Sequence, residues 1–271
     1  MADTARGQRG LRMPLGFGAG AGPRHNPWGP PFGSAELETL TLSVRARTTT
    51  EGLQAILPRG VYAAGDVLTV EATRLRHVAW LAGRGYNIVT VKTPAEYRTR
   101  YGEVIEADYV NVLWENLADP IITGREELGF AKLYAEIDDV HEPTGGRSAA
   151  DARWDGFTFV SIRAHDLVVA DPPVGRPRLH YKYVPATGRW DDADVAYAVV
   201  TPAENPTVTV LASWAGEGSF TFHAATFAEL PTLRHVVNRL AALPIHGFLS
   251  ASLVKTRGGK SLADQRPAED E

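Results

Sequence analysis

From residue 37 to residue 254 the chain reads as one short extended segment after another, with few helical stretches between them, and this restricts its fold more than any other feature. Residues 37–44 set the pattern. Leu37, Thr39, Thr41 and Ser43 alternate with Glu38, Leu40, Leu42 and Val44, which is the period of a half-buried strand. Residues 67–80, 86–91 and 103–114 carry the β-branched and aromatic residues of further strands, and 132–140, 157–170, 178–184, 195–201, 207–214 and 245–254 continue the series. Three helical stretches interrupt it. Thr49-Thr50-Glu51 opens one that runs to Leu57 and stops at Pro58. Residues 119–128 form a second, with Asp119 as N-cap and Pro120 at the first position. Residues 232–243 form an amphipathic third, with Leu233, Val236, Val237 and Leu240 on one stripe and Pro244 ending it. About ten strands with no regular strand–helix alternation predict an α+β fold: a mostly antiparallel sheet, large enough to curl or close, with helices packed outside.

The ends differ in composition. Residues 1–34 are rich in glycine and proline, show no period of two or 3.6, and read as a flexible tail. The run Gly16-Phe17-Gly18-Ala19-Gly20-Ala21-Gly22 superficially resembles a dinucleotide loop. Such a loop must follow a strand and open a helix, whereas here Pro14 precedes the run and Pro23 follows it. Residues 257–271 are rich in glycine and charge and read as a second flexible tail, leaving 35–256 as one domain. The arginines near the start precede no apolar core, so no secretion signal is expected. No apolar run approaches the roughly 18 residues of a membrane span. A net charge of −4 with dispersed cations argues against a nucleic-acid partner. The absence of cysteine excludes disulfides and thiolate chemistry, and a cytoplasmic location is expected.

One residue stands out chemically. The 28 lysines and arginines include just five lysines, and one of them, Lys132, lies among aromatic and aliphatic neighbours in Gly124-Arg125-Glu126-Glu127-Leu128-Gly129-Phe130-Ala131-Lys132-Leu133-Tyr134. A lysine amine can lose its proton and attack a carbonyl, which an arginine cannot do. A lysine opening a strand is otherwise a solvated edge charge, and Arg125-Glu126 is otherwise a structural ion pair or helix-end contact. The other cluster of polar ligand types, Glu136-Ile137-Asp138-Asp139-Val140-His141-Glu142, follows a strand and leads into Pro143-Thr144-Gly145-Gly146. It reads as a solvated strand end and turn rather than a metal site. No zinc-type histidine spacing, nucleophile-elbow serine or phosphate-cradling loop is found, so neither metal nor cofactor is expected.

Gly-Arg-Glu-x-x-Gly-Phe-x-Lys, preceded by Asp119-Pro120-Ile121-Ile122-Thr123, resembles the signature of the acetoacetate decarboxylase family. Arg47-Thr48 with Leu53-Gln54-Ala55-Ile56-Leu57-Pro58, the strand of 102–114, Arg176 to Pro185 and Trp214-Ala215-Gly216 are similar to other family passages, so the likeness spans roughly residues 37–256. The resemblance implies a closed, cone-like β-barrel with flanking helices, assembled into homo-oligomers. It also implies Lys132 as an imine-forming nucleophile and a small keto acid as substrate. Four departures accompany it. Leu133 stands where the family has a second lysine. Ile88 stands where the family has glutamate, in Tyr86-Asn87-Ile88. Leu40 or a neighbour stands where an N-terminal arginine is expected, and Ala131 replaces a proline. Some family members use the same imine for aldol or dehydration chemistry, and the departures point toward that group.

An ordinary lysine has a pKa of about 10.4, so about one in 2,500 is neutral at pH 7, and a working nucleophile needs about 3–4 units less. A like charge nearby is the family's known device; burial alone supplies about 3–5 units. If the strand is regular, Phe130, Lys132, Tyr134 and Glu136 share one face, and Ala131, Leu133, Ala135 and Ile137 share the other. A lysine at 133 would therefore point away, and desolvation is expected to activate Lys132 without it. Glu136, about 13 Å along the strand, is too far to be its direct partner. Phe130, Tyr134, Tyr86, Leu113 and Glu115 are the candidates for the pocket, with Arg125 and Glu126 as structural support. Tyr86, Tyr134, Glu96 and Glu115 are open choices for an acid/base. The expected function is a Schiff-base carbon–carbon lyase, by family default a 3-oxo-acid decarboxylase. The alternatives are an aldolase or dehydratase on a pyruvate-like acid, and a non-catalytic small-molecule binder of the same fold.

Overall fold

The alternation of the first strand, β1 (Glu38–Arg47), decides which way the sheet faces. Leu40, Leu42, Val44 and Ala46 are buried, while Thr39, Thr41 and Ser43 between them stay partly exposed. The computed structural model describes residues 23–26, 29–204, 206–260 and 262–269. After β1 come α1 (Thr50–Gln54), capped by the Thr49 hydroxyl, then β2 (Val61–Ala63), β3 (Val67–Arg76), β4 (Tyr86–Arg98) and β5 (Val104–Glu115). Helix α2 (Ala118–Glu126) leads into two very short strands, β6 (Lys132–Tyr134) and β7 (Glu136–Ile137). The chain continues through β8 (Ser148–Trp154), β9 (Phe157–Val169), β10 (Arg178–Ala186), β11 (Arg189–Thr201) and β12 (Thr209–Phe222). It finishes with α3 (Arg234–Ala241), β13 (Gly247–Arg257) and β14 (Arg266–Pro267).

The strands form one sheet in the order β14-β11-β10-β5-β4-β3-β1-β13-β12-β9-β8-β7, with β2 also on β4 and β6 also on β5. Pairing is antiparallel except where β5 meets β10 and β6. The curl encloses a core in which Leu42 of β1 faces Leu253 of β13, near Phe159, Ile162, Trp114 and Val237. This is the predicted mostly antiparallel α+β sheet, but among the described residues the ladder does not close into the expected barrel: β14 and β7 are its two ends. The stretch 132–137 comes nearest to joining the curl, its first half lying along β5 and its second half along β8. It is too short to carry a continuous ladder. The edge of β5 is divided, β10 taking Asp108 and Tyr109 while β6 takes Leu113, Trp114 and Glu115.

The strand end at 136–142 and the C-terminal stretch read as a flexible tail are both tied down. Within 136–142, Asp138 pairs with Arg153, Asp139 with Arg76 and Asn87, and Glu142 with Lys255, so these carboxylates serve structure. Residues 257–260 and 262–269 pack back on the sheet. Strand β14 pairs with β11, the Ala268 N–H donates to the Ala198 carbonyl, and the Glu269 carboxylate accepts from the Tyr97 hydroxyl. With burial, the Glu269 charge helps hold Tyr97 up at about 12. The N-terminal glycine run lies outside the described residues. Among the described residues no helix is long and apolar enough to cross a membrane. A chain cut after Lys260 is expected to melt lower, by about 2–4 °C per kcal/mol lost, and to titrate Tyr97 closer to the ordinary tyrosine value. Calorimetry and ultraviolet pH titration check both.

Candidate active site

Lys132 is seated by the backbone before and after it. Helix α2 ends as the Glu127 N–H reaches the Thr123 carbonyl, and the Phe130 N–H returns to the Gly124 carbonyl at 3.1 Å. Gly129, at φ +79°, makes the left-handed turn that a side chain would strain. The Leu113 N–H then donates to Ala131, and the Ala135 N–H to Glu115, both at 3.0 Å, which fixes the segment along β5. Arg125 reaches over the turn and donates to the Lys132 carbonyl at 3.0 Å. The amine folds back over α2, and a Cβ built on Gly124 would fall on Lys132 Cδ, Cε and Nζ. The glycine of the signature therefore makes room for the lysine side chain.

The regular strand faces follow from this seating. Leu133, Ala135 and Ile137 point into the enclosed core, and Lys132 points to the opposite face of the sheet. On that face Leu113 lies opposite Lys132, Glu115 opposite Tyr134, and Ile88 of β4 opposite Glu115. Lys132 is 5 % exposed and Glu115 not at all. Their Nζ and Oε1 atoms are 2.7 Å apart. The amine also donates to the Pro120 carbonyl, 3.1 Å away, and apart from Lys132 no group among the described residues donates to the carboxylate. Phe130 lies over the amine, with 5.9 Å from Nζ to its ring centroid, and packs with Val110 and Leu113.

Burial dominates the electrostatics. It pushes the Lys132 amine below the ordinary lysine range, against the pull of the Glu115 charge. It pushes the Glu115 carboxyl above the ordinary carboxylate range, against the charge of Lys132. Both shifts favour the uncharged pair, with the proton on Glu115 and a free amine on Lys132. Tyr86, buried on the same face, is raised by burial and then by the Glu115 charge.

Arg24 escaped the sequence reading altogether. It lies in Pro23-Arg24-His25-Asn26, a segment read as tail, yet it stacks over Trp80 at 5.0 Å and its charge bears on Tyr86, Glu115 and Lys132. Leu40, where an arginine was sought, is a core residue. The one available signal was an arginine between two prolines, too weak to single it out. Of the other candidates, Tyr134 is half exposed and lines a separate cavity of about 90 Å³ with Trp154 and Leu233. Glu96 pairs with Arg98 at the far end of β4, away from the amine. Glu126 borders a cavity of about 310 Å³ beside the turn, a cavity that Lys132 does not line.

A curled, mostly antiparallel sheet with a lysine and a carboxylate buried side by side on one face is the class of architecture found here. The family model described as acetoacetate decarboxylase (ADC) matches residues 13–263, and the chain belongs to that family. Solved structures agree on the fold. A structure described as acetoacetate decarboxylase superposes with a TM-score of 0.66 at 13% identity, covering 91% of this chain and 95% of that one. The enduracididine biosynthesis enzyme MppR complexed with pyruvate gives 0.64 at 17%, covering 90% and 93%. The acetoacetate decarboxylase of Legionella pneumophila gives 0.64 at 19%, covering 88% and 93%. No curated protein matches the chain significantly in sequence.

Gly124→Ala tests the seat. Alanine suits a helix better than glycine by about 1 kcal/mol, so α2 itself is not weakened. The lysine must nevertheless leave its place. Wild-type Lys132 is expected to react with acetic anhydride with a midpoint well below the ordinary lysine value. In the variant the midpoint should rise, with labelling at neutral pH down about tenfold or more. Peptide mass spectrometry across a pH series reads both.

Proposed function

We propose that the protein is an imine-forming carbon–carbon lyase acting on a small keto acid, with Lys132 as nucleophile and Glu115 as its proton carrier. The observation that carries this reading is the enclosed contact between the Lys132 amine and the Glu115 carboxyl. Membership in a family of decarboxylase-like lyases supports it. The neutral amine adds to the ketone carbon to give a carbinolamine. Glu115 gives its proton to the leaving hydroxyl, water departs, and an iminium cation remains beside the new carboxylate. In a 3-oxo acid the bond to the carboxylate then breaks, the electron pair flows into the iminium and CO2 leaves, the family's default reaction. Arg24, whose charge reaches the pair, is suited to hold the acid's carboxylate.

A second reading draws on Glu115 itself. Decarboxylation needs the electron sink, whereas aldol and dehydration chemistry also need a placed base. A Glu115 carboxylate next to the iminium can take a proton from the adjacent carbon of a pyruvate-like acid and leave an enamine to attack an aldehyde. The pyruvate bound by the structurally similar MppR fits that substrate class.

Trapping with borohydride in the presence of 2-oxo and 3-oxo acids tests both readings. A reduced adduct on Lys132 with CO2 release supports decarboxylation. An adduct without CO2 supports the aldol-type reaction, and no adduct with any acid means a binding protein. Lys132→Arg should lose every adduct. Adduct formation should follow a bell-shaped pH curve, its acid limb set by protonation of Lys132 and its alkaline limb by loss of the Glu115 proton. Glu115→Gln should slow trapping by about 10²–10⁴ and remove the alkaline limb.

A further inference from the structure

His180 has no part in the chemistry above, yet it is fully buried one turn away from it. Its Nε2 lies 2.7 Å from the Leu128 carbonyl oxygen. A carbonyl only accepts, so Nε2 carries the hydrogen and Nδ1 is left as an acceptor, buried and with no hydrogen-bond partner among the described residues. The ring stacks on Phe130 at 3.9 Å between centroids and 24° between planes. Phe130 is in turn the ring beside the Lys132 amine.

The position follows from the divided edge of β5. Strand β10 leaves that edge after Tyr109, and β6 joins it at Leu113. The turn 127–130 fills the space between, and β10 grips it from one side. A Cβ on Gly129 would lie 2.5 Å from Lys182 Cβ, and Lys182 Nζ approaches the Glu127 carbonyl at 3.4 Å. His180, two residues earlier on the same face of β10, supplies the hydrogen bond to Leu128 between those contacts. A phenylalanine there could stack on Phe130 without burying a polar atom; it could not donate to the Leu128 carbonyl. An unpartnered Nδ1 costs stability, so the chain keeps a group that a purely packing role would not need.

We propose that His180 is a positioning residue for the nucleophile: by stacking on Phe130 and holding the Leu128 carbonyl it fixes the turn that seats Lys132 beside Glu115 and keeps water from the amine. The inference rests on Lys132 being the reactive amine of the proposed function. The charges facing the two groups come from several elements. Lys132 meets Glu115 of β5 and Arg24 of the N-terminal segment, and Tyr86 of β4 meets the same two. His180 meets Arg178 and Lys182 of its own strand and Lys132 of β6. Burial, against the Leu128 hydrogen bond and helped by the Arg178 and Lys182 charges, holds the imidazole down at about 4, so the ring is neutral at neutral pH.

The test compares His180→Ala, which loses both contacts, His180→Phe, which keeps the stack, and His180→Gln, which keeps an amide donor. Lys132 acetylation by acetic anhydride is followed from about pH 6 to 11, alongside melting temperature. His180→Ala should raise the labelling midpoint and cut labelling at neutral pH about tenfold, with His180→Phe intermediate and His180→Gln recovering part of the loss. Should His180→Ala not fold, His180→Phe carries the test alone. Midpoints equal to wild type with lowered melting temperatures would make His180 a core residue and overturn the inference. A wild type that labels at a lowered midpoint but traps no keto acid overturns the imine reading and leaves this inference standing.

Discussion

Everything at this site depends on two ionisable groups being taken out of water together. A lysine and a glutamate 2.7 Å apart would be an ordinary ion pair on a surface. Inside, each charge carries a desolvation cost of several kcal/mol, and their attraction offsets it when hydrogen bonds complete the geometry. Here that completion is partial: the amine lies 2.7 Å from Oε1 and also donates to the Pro120 carbonyl, while no other donor among the described residues reaches the Glu115 oxygens. Burial therefore pushes the lysine down and the carboxyl up, each toward its uncharged form. In the proposed reaction, the same dryness that penalises the pair would supply a nucleophile and an acid at once.

That dryness is built by secondary structure that contributes no chemistry of its own. The edge of β5 is shared by β10 and β6, and the turn between them delivers Phe130 as a cover. Helix α2 supplies a glycine for the lysine stem to lie against and a carbonyl for its amine. Arg125 ties the far end of the turn to the Lys132 backbone. Burying this one lysine therefore takes a whole segment, 118–135, whose residues fold back on one another before they join the sheet.

How far this was legible in the sequence depended on where the cause lay. Alternation in β1 and the Thr49 cap are local, and they were readable. The separation of Lys132 from Leu133 was also readable, since opposite faces follow from the period of a strand. Strand β8, Ser-Ala-Ala-Asp-Ala-Arg-Trp, was missed because alanine and aspartate are poor strand formers; its pairing with β9 overrides them. The cap of helix α2 lies two residues earlier than expected, at Leu117 rather than Asp119, and Asp119 falls within the first turn. The open ladder was missed because closure depends on strand lengths at the two ends. Arg24 was missed because its partners, Trp80, Tyr86 and Glu115, are distant in sequence and nothing periodic links them.

The change at residue 88 takes on a different meaning in the sheet. Ile88 removes a carboxylate from β4, but its cross-strand partner is Glu115 of β5, one strand nearer to β6. On one face of a pleated sheet, adjacent strands lie about 4.8 Å apart. A carboxyl on β5 can touch an amine that projects from β6, whereas one on β4 must reach across the intervening strand. The buried carboxyl of this site is thus the one on β5, in direct contact with the Lys132 amine. A carboxyl in contact can pass a proton to whatever the amine binds; one a strand away acts through its field alone. Under the proposed function, Glu115 would therefore transfer its proton at the imine itself, and the departures from the family pattern would bear on which bond breaks.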